Sequence, residues 1–190
     1  MKESANDGRN VNCCHSICLC LNVQGINPSL RSKSFHKIRY LSERINHLNH
    51  KKQPVSFMAI VETWLKEHIT DAQLHIQDYN IYRSDRSISK NGGVMLYIHN
   101  SITIDTFSLF DDDTCSAVIC LSKNSNCIIC CLYRPPNSSY NSFRNTISFL
   151  NNFILSHNTL DKLQIFLFGD FNFPNLSWHN DQITEYNTLS

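Results

Sequence analysis

Short apolar runs that each stop on a polar side chain constrain this chain more than any other feature. The clearest is Gln164-Ile165-Phe166-Leu167-Phe168-Gly169-Asp170-Phe171-Asn172-Phe173-Pro174. Apolar residues continue to Phe168, Gly169 interrupts them, and Asp170 and Asn172 follow two apart. Period-two alternation puts residues i and i+2 on one side of an extended chain. Asp170 and Asn172 are therefore expected to point the same way, with Phe171 turned back into the protein. Pro174 forbids a long continuation of the strand. The stretch reads as a buried strand whose carboxyl end, where open α/β sheets bind ligands, holds a carboxylate beside an amide. Taken alone, a plain strand-to-turn passage is the simpler account, since Gly, Asp, Asn and Pro are all turn residues. The remainder of the chain reverses that preference.

Three other apolar runs end in the same way. Ser16-Ile17-Cys18-Leu19-Cys20-Leu21 reads as a buried strand ending at Asn22. Asn22 can also close a turn by bonding its own backbone. Val55-Ser56-Phe57-Met58-Ala59-Ile60-Val61 delivers Glu62, and a carboxylate straight after so apolar a run is costly unless it has a partner. Cys127 to Tyr133 ends in Arg134-Pro135-Pro136, leaving a phenol at the strand terminus.

Between these runs lie two amphipathic stretches. Residues 32–50 carry Phe35, Ile38, Leu41, Ile45 and Leu48 on one helical face, with Lys37, Arg39, Arg44 and three His opposite. Tyr140, Phe143, Ile147, Leu150 and Ile154 mark a second helix. Thr70-Asp71 opens a short helix, and Tyr79 to Arg83 alternates like an edge strand. Val94–Ile98, residues 102–110 and residues 114–121 are further strands. Arg86 and Lys90 sit in a polar loop and read first as solvated, with phosphate contact as the functional alternative. Trp178 to Ser190 shows no convincing element, and residues 1–14 read as a mobile arm before a domain over 15–190. Core strands alternating with covering helices imply an α/β layered fold.

Composition narrows the class. The chain has 190 residues, 42% of them hydrophobic, which suits one good-sized core. Residues 1–100 hold thirteen Lys/Arg against eight Asp/Glu, and residues 101–190 hold four against eight. That asymmetry fits phosphate on one side and carboxylates around a cation on the other, and it fits ordinary scatter equally well. No apolar run approaches the roughly 18 residues that a membrane helix needs. The N-terminus lacks the apolar core of a secretory signal, so an intracellular protein with reduced thiols is expected. Cys127 and Cys130 have C-x-x-C spacing, yet in an extended run they face opposite sides. With no second pair, neither they nor the Cys13–Cys20 cluster reads as a zinc site.

Asn22, Glu62, Tyr133, Asp170 and Asn172 are hard oxygen donors and hydrogen-bond donors, suited to Mg²⁺ or Mn²⁺ rather than zinc. A hydrated cation on one or two carboxylates, with amide and phenol groups facing a developing oxyanion, has the parts needed for metal-assisted phosphodiester hydrolysis.

Five segments in order resemble the endonuclease/exonuclease/phosphatase superfamily of DNase I-like fold. They are Leu21 to Ile26, Val61-Glu62-Thr63-Trp64-Leu65, Ser84-Asp85-Arg86 with Gly92-Gly93-Val94, Leu132-Tyr133-Arg134-Pro135-Pro136, and Gly169 to Pro174. Tyr-Arg-Pro-Pro and Gly-Asp-Phe-Asn-Phe-Pro are similar to the apurinic-type endonuclease domain of non-LTR, LINE-like retrotransposons. The resemblance implies a two-sheet α/β sandwich acting on DNA, in the nucleus, beside the reverse transcriptase region of a longer polyprotein. It implies Glu62 as principal Mg²⁺ ligand assisted by Asn22, and Asp170 as the group that positions the attacking water. Asn172 and Tyr133 would hold the phosphate, and Arg86 would touch substrate. The family continues to a further carboxylate strand and a final Ser-Asp-His motif, whereas this sequence stops at Ser190, and His179 does not supply that motif. The expected consequences are an incomplete second sheet, uncovered apolar surface and weakened activity, or a fragment that only binds nucleic acid or protein.

Overall fold

The computed structural model describes residues 17–26, 35–51, 53–87, 91–112, 114–136, 138–157, 163–173, 176–179 and 182–185. The expected N-terminal arm, Lys90, Pro174 and the Cys13–His15 part of the cysteine cluster lie outside them.

Two four-stranded sheets face each other. The first has strands β1 (Ile17–Asn22), β2 (Val55–Val61), β3 (Tyr79–Ser84) and β4 (Val94–His99) in the order β1-β2-β4-β3. The second has β5 (Thr106–Asp111), β6 (Ser116–Ser122), β7 (Cys127–Tyr133) and β8 (Gln164–Asp170) in sequence order. Each sheet contains one parallel pair, β1 with β2 and β7 with β8, and its other neighbours are antiparallel. A parallel pair needs a crossover, and the two long helices supply it: α1 (Phe35–His50) between β1 and β2, α2 (Tyr140–Ser156) between β7 and β8.

Period-two alternation sorts the side chains into three layers. Met58, Ile60, Met95 and Tyr97 pack outward against Leu41, Ile45 and Leu48 of α1. Phe57, Ala59, Val61 and Leu96 meet Val118, Ile129 and Cys131 between the sheets. Ile119, Ile128, Cys130 and Leu132 pack outward against Phe143, Leu150 and Phe153 of α2. Each such fully buried aliphatic side chain contributes about 1.5–3 kcal/mol of transfer free energy. Cys127 and Cys130 fall in different layers, as alternation requires, and are buried thiols rather than ligands of one ion.

Several expectations are corrected. β1 is an edge strand with half-exposed side chains, not a buried one. β8 is also an edge, and Ile165 and Leu167 are 51% and 49% exposed. Hydrophobicity reports what could be buried, and strand order decides what is. Trp178 to Ser190 is not featureless: β9 (Leu176–His179) and β10 (Gln182–Glu185) form an antiparallel hairpin. Lys37, on the charged face of α1, also has a structural role. Its ammonium donates to the carbonyl oxygens of Val23, Gln24 and Gly25, fastening the loop after β1. Asp71–Leu74 is a single 3₁₀ turn, as the Thr70-Asp71 signal predicts.

Candidate active site

Each parallel pair ends on the same side of the sandwich. Asn22 is in register with Val61, the residue before Glu62, and Tyr133 is in register with Asp170. Four chain segments far apart in sequence thus deliver polar groups to one place.

Asn22 joins them. Its Nδ2 donates to Glu62 Oε1 at 3.1 Å and to Asp170 Oδ2 at 3.4 Å. Its Oδ1 accepts the Gln24 N–H at 3.2 Å. The Oδ1 end of Asn22 thus closes the turn, while the Nδ2 end bridges the two carboxylates instead of offering them the oxygen of a fellow Mg²⁺ ligand. The Tyr133 phenol lies beside the Glu62 and Asp170 carboxylates. Burial, then the Glu62 and Asp170 charges, push its pKa above the usual tyrosine value, and only Arg86 opposes them among the charges. The hydroxyl is consequently a proton donor throughout the neutral range.

Glu62 sits at φ +55°, a left-handed conformation uncommon for a non-glycine residue. Hydrogen bonds on both sides hold it there. Gly25 N–H donates to Glu62 O at 2.7 Å and Ile26 N–H to Thr63 O at 2.9 Å. Trp64 N–H donates to Gly92 O at 2.9 Å. Backbone strain that the surroundings over-determine clusters at functional sites, and here it lies under the Glu62 carboxylate.

Gly92 explains the placement of Arg86. At φ +104°, a Cβ on Gly92 would overlap Arg86 Cδ and crowd Tyr133 Cε1. The bare backbone lets both side chains close over it. Arg86 is 5% exposed, so the solvated-loop expectation is overturned, and its side chain lies beside Tyr133.

Asn172 departs from its expected position. β8 ends at Asp170, and Asn172 adopts φ +45°, so strand alternation no longer governs it. Its Nδ2 donates to Arg134 O at 2.7 Å. Phe171 does turn back into the protein, packing beside Phe173 under α2. Sequence reasoning also missed Arg134, which is 4% exposed and spans the whole segment after β8. An Arg placed between an apolar strand and two prolines was the available signal.

The human Nocturnin catalytic domain, solved with bound sulfate, superposes with a TM-score of 0.54 at 12% identity, over 82% of this chain and 63% of that one. An endonuclease/exonuclease/phosphatase family protein from Bacteroides thetaiotaomicron gives 0.53 at 13% identity, over 82% and 61%. The 3′ phosphatase NExo from Neisseria, bound to a product DNA hairpin, gives 0.50 at 14%, over 82% and 57%. The chain has the DNase I-like fold. No protein-family profile matches the sequence, and no curated protein matches it. The chain spans less than two thirds of the length of each of these three DNase I-like structures.

Proposed function

We propose that the chain is a metal-assisted phosphodiester hydrolase that nicks DNA. In this reading it is the endonuclease domain of a retrotransposon-type polyprotein that also carries a reverse transcriptase region. The observation that carries the reading is the bridge from Glu62 through Asn22 to Asp170, with the Tyr133 phenol beside both carboxylates. NExo, a protein of the same fold bound to product DNA, supports nucleic acid as the substrate class. The Tyr133-Arg134-Pro135-Pro136 and Gly169–Pro174 segments support the retrotransposon branch, and with it a nuclear site of action.

The donor set fits a hard cation. Two carboxylates suffice for Mg²⁺ or Mn²⁺, which keep most of their own waters. When bound, such an ion supplies positive charge to a phosphate oxygen and to the leaving oxygen. Glu62 is the principal ligand, and Asn22 holds it against Asp170. Asp170 orients the attacking water and accepts its proton. Tyr133 donates to the oxyanion that develops on phosphorus. One N–H of Asn172 is committed to Arg134, and the other serves the phosphate. Arg86 offsets negative charge beside Tyr133.

Nicking of supercoiled plasmid in Mg²⁺ tests this. Glu62→Ala and Asp170→Ala should each lower the rate by about 100-fold or more. Cleavage that survives both changes rejects the site. A second reading, a non-catalytic binding module, draws on the half-exposed Ile165 and Leu167 at the β8 edge. It gains if the wild-type chain binds DNA without nicking it.

A further inference from the structure

We infer that Arg134 is a positioning residue for the reaction, locking the segment that carries Asp170 and Asn172; this rests on the hydrolase reading above. Arg134 reaches every residue from 170 to 173. Its N–H donates to Asp170 O at 2.9 Å. Its guanidinium donates to Phe171 O at 3.4 Å and to Asn172 O at 2.6 Å through one nitrogen, and to Ser138 O through the other. The guanidinium carbon lies 4.3 Å from the centroid of the Phe173 ring. In return Arg134 O accepts Asn172 Nδ2 at 2.7 Å.

A buried cation is costly, so a site retains one where its geometry is needed. Here the need is visible. The ladder between β7 and β8 ends at the pair Tyr133–Asp170. Beyond it the chain turns through a left-handed Asn172, and Asn22 reaches the Asp170 carboxylate at a long 3.4 Å. Where the ladder stops, the Arg134 N–H holds Asp170 O and its guanidinium fixes the next two residues, Phe171 and Asn172, against Ser138 and Phe173. The planar fork matters: two nitrogens reach carbonyls on different segments while the face stacks on an aromatic ring, which an ammonium cannot do together.

The test compares Arg134→Ala and Arg134→Lys with wild type in plasmid nicking, with rates normalised to folded protein. A misplaced Asp170 should lower kcat by about 100-fold in both variants and leave KM within about threefold. Millimolar guanidinium added in solution should restore part of the Arg134→Ala rate and none of the Arg134→Lys rate. Amide exchange, which needs no activity, should lose protection at residues 170–173 while the β6–β7 amides keep theirs. Unchanged kcat per folded molecule, or exchange that rises across the whole second sheet, overturns the inference. Absence of wild-type nicking rejects the hydrolase reading and the catalytic part of this one, whereas the exchange result still decides whether Arg134 locks the segment.

Discussion

At the scale of single residues, the site works by neighbours that change what a side chain is. Asn22 is a turn residue and a bridge at once because its two ends face different ways. Tyr133 is held as a donor by burial and by the two carboxylates that disfavour phenolate. Tyr133→Phe should therefore lower plasmid nicking by about 10- to 100-fold while leaving divalent-cation binding unchanged. A variant that loses cation affinity as well would make the phenol a ligand and not a donor. Because the shift is upward, the wild-type rate should show no alkaline loss from this tyrosine below its ordinary range, as a pH–rate profile in Mg²⁺ would register.

At the scale of elements, the decisive feature is that both parallel pairs end together. Gly169 sits opposite Leu132 in that register, and a Cβ there would run into the Leu132 carbonyl. Gly169→Ala should push β8 away from β7, displace Asp170, and lower both the melting temperature and nicking. A variant with normal stability and rate would show that the strand ends have slack. The core elements also set an alkaline limit. Burial, with a smaller push from Asp78, lifts Tyr79 to about 12 from 10.0, and its hydroxyl donates to Val55 O at 2.6 Å. Burial lifts the Cys115 thiol to about 11 from 9.0. Groups raised in the folded state keep their protons while the unfolded chain releases them. Their stabilisation is complete below about pH 9 and is lost as pH rises through 11 and 12. Urea midpoints measured between those limits should fall steadily, and a flat profile would mean that these groups are not buried as described.

At the scale of the whole molecule, much of the plan was legible because it was written in periodicity. Helical spacing at Leu41, Ile45 and Leu48 located α1, and unbroken runs located β2 and β7. Glu62 was legible because a carboxylate ending such a run needs a partner. What the pattern could not carry was strand order. Ile165 and Leu167 look like core residues and lie on an edge, since nothing local says which strand is outermost. Asn172 was misplaced because alternation was carried past the end of the strand, and Arg86 and Arg134 because polar residues in loops look solvated until their carbonyl and ring partners are known. The account stands on Glu62 and Asp170 sharing one cation, and Mn²⁺ titration followed by electron paramagnetic resonance measures that most directly. It should find one bound ion per wild-type chain, lost in Glu62→Gln and weakened in Asp170→Asn. Equal Mn²⁺ binding by all three proteins, or none by the wild type, would contradict it.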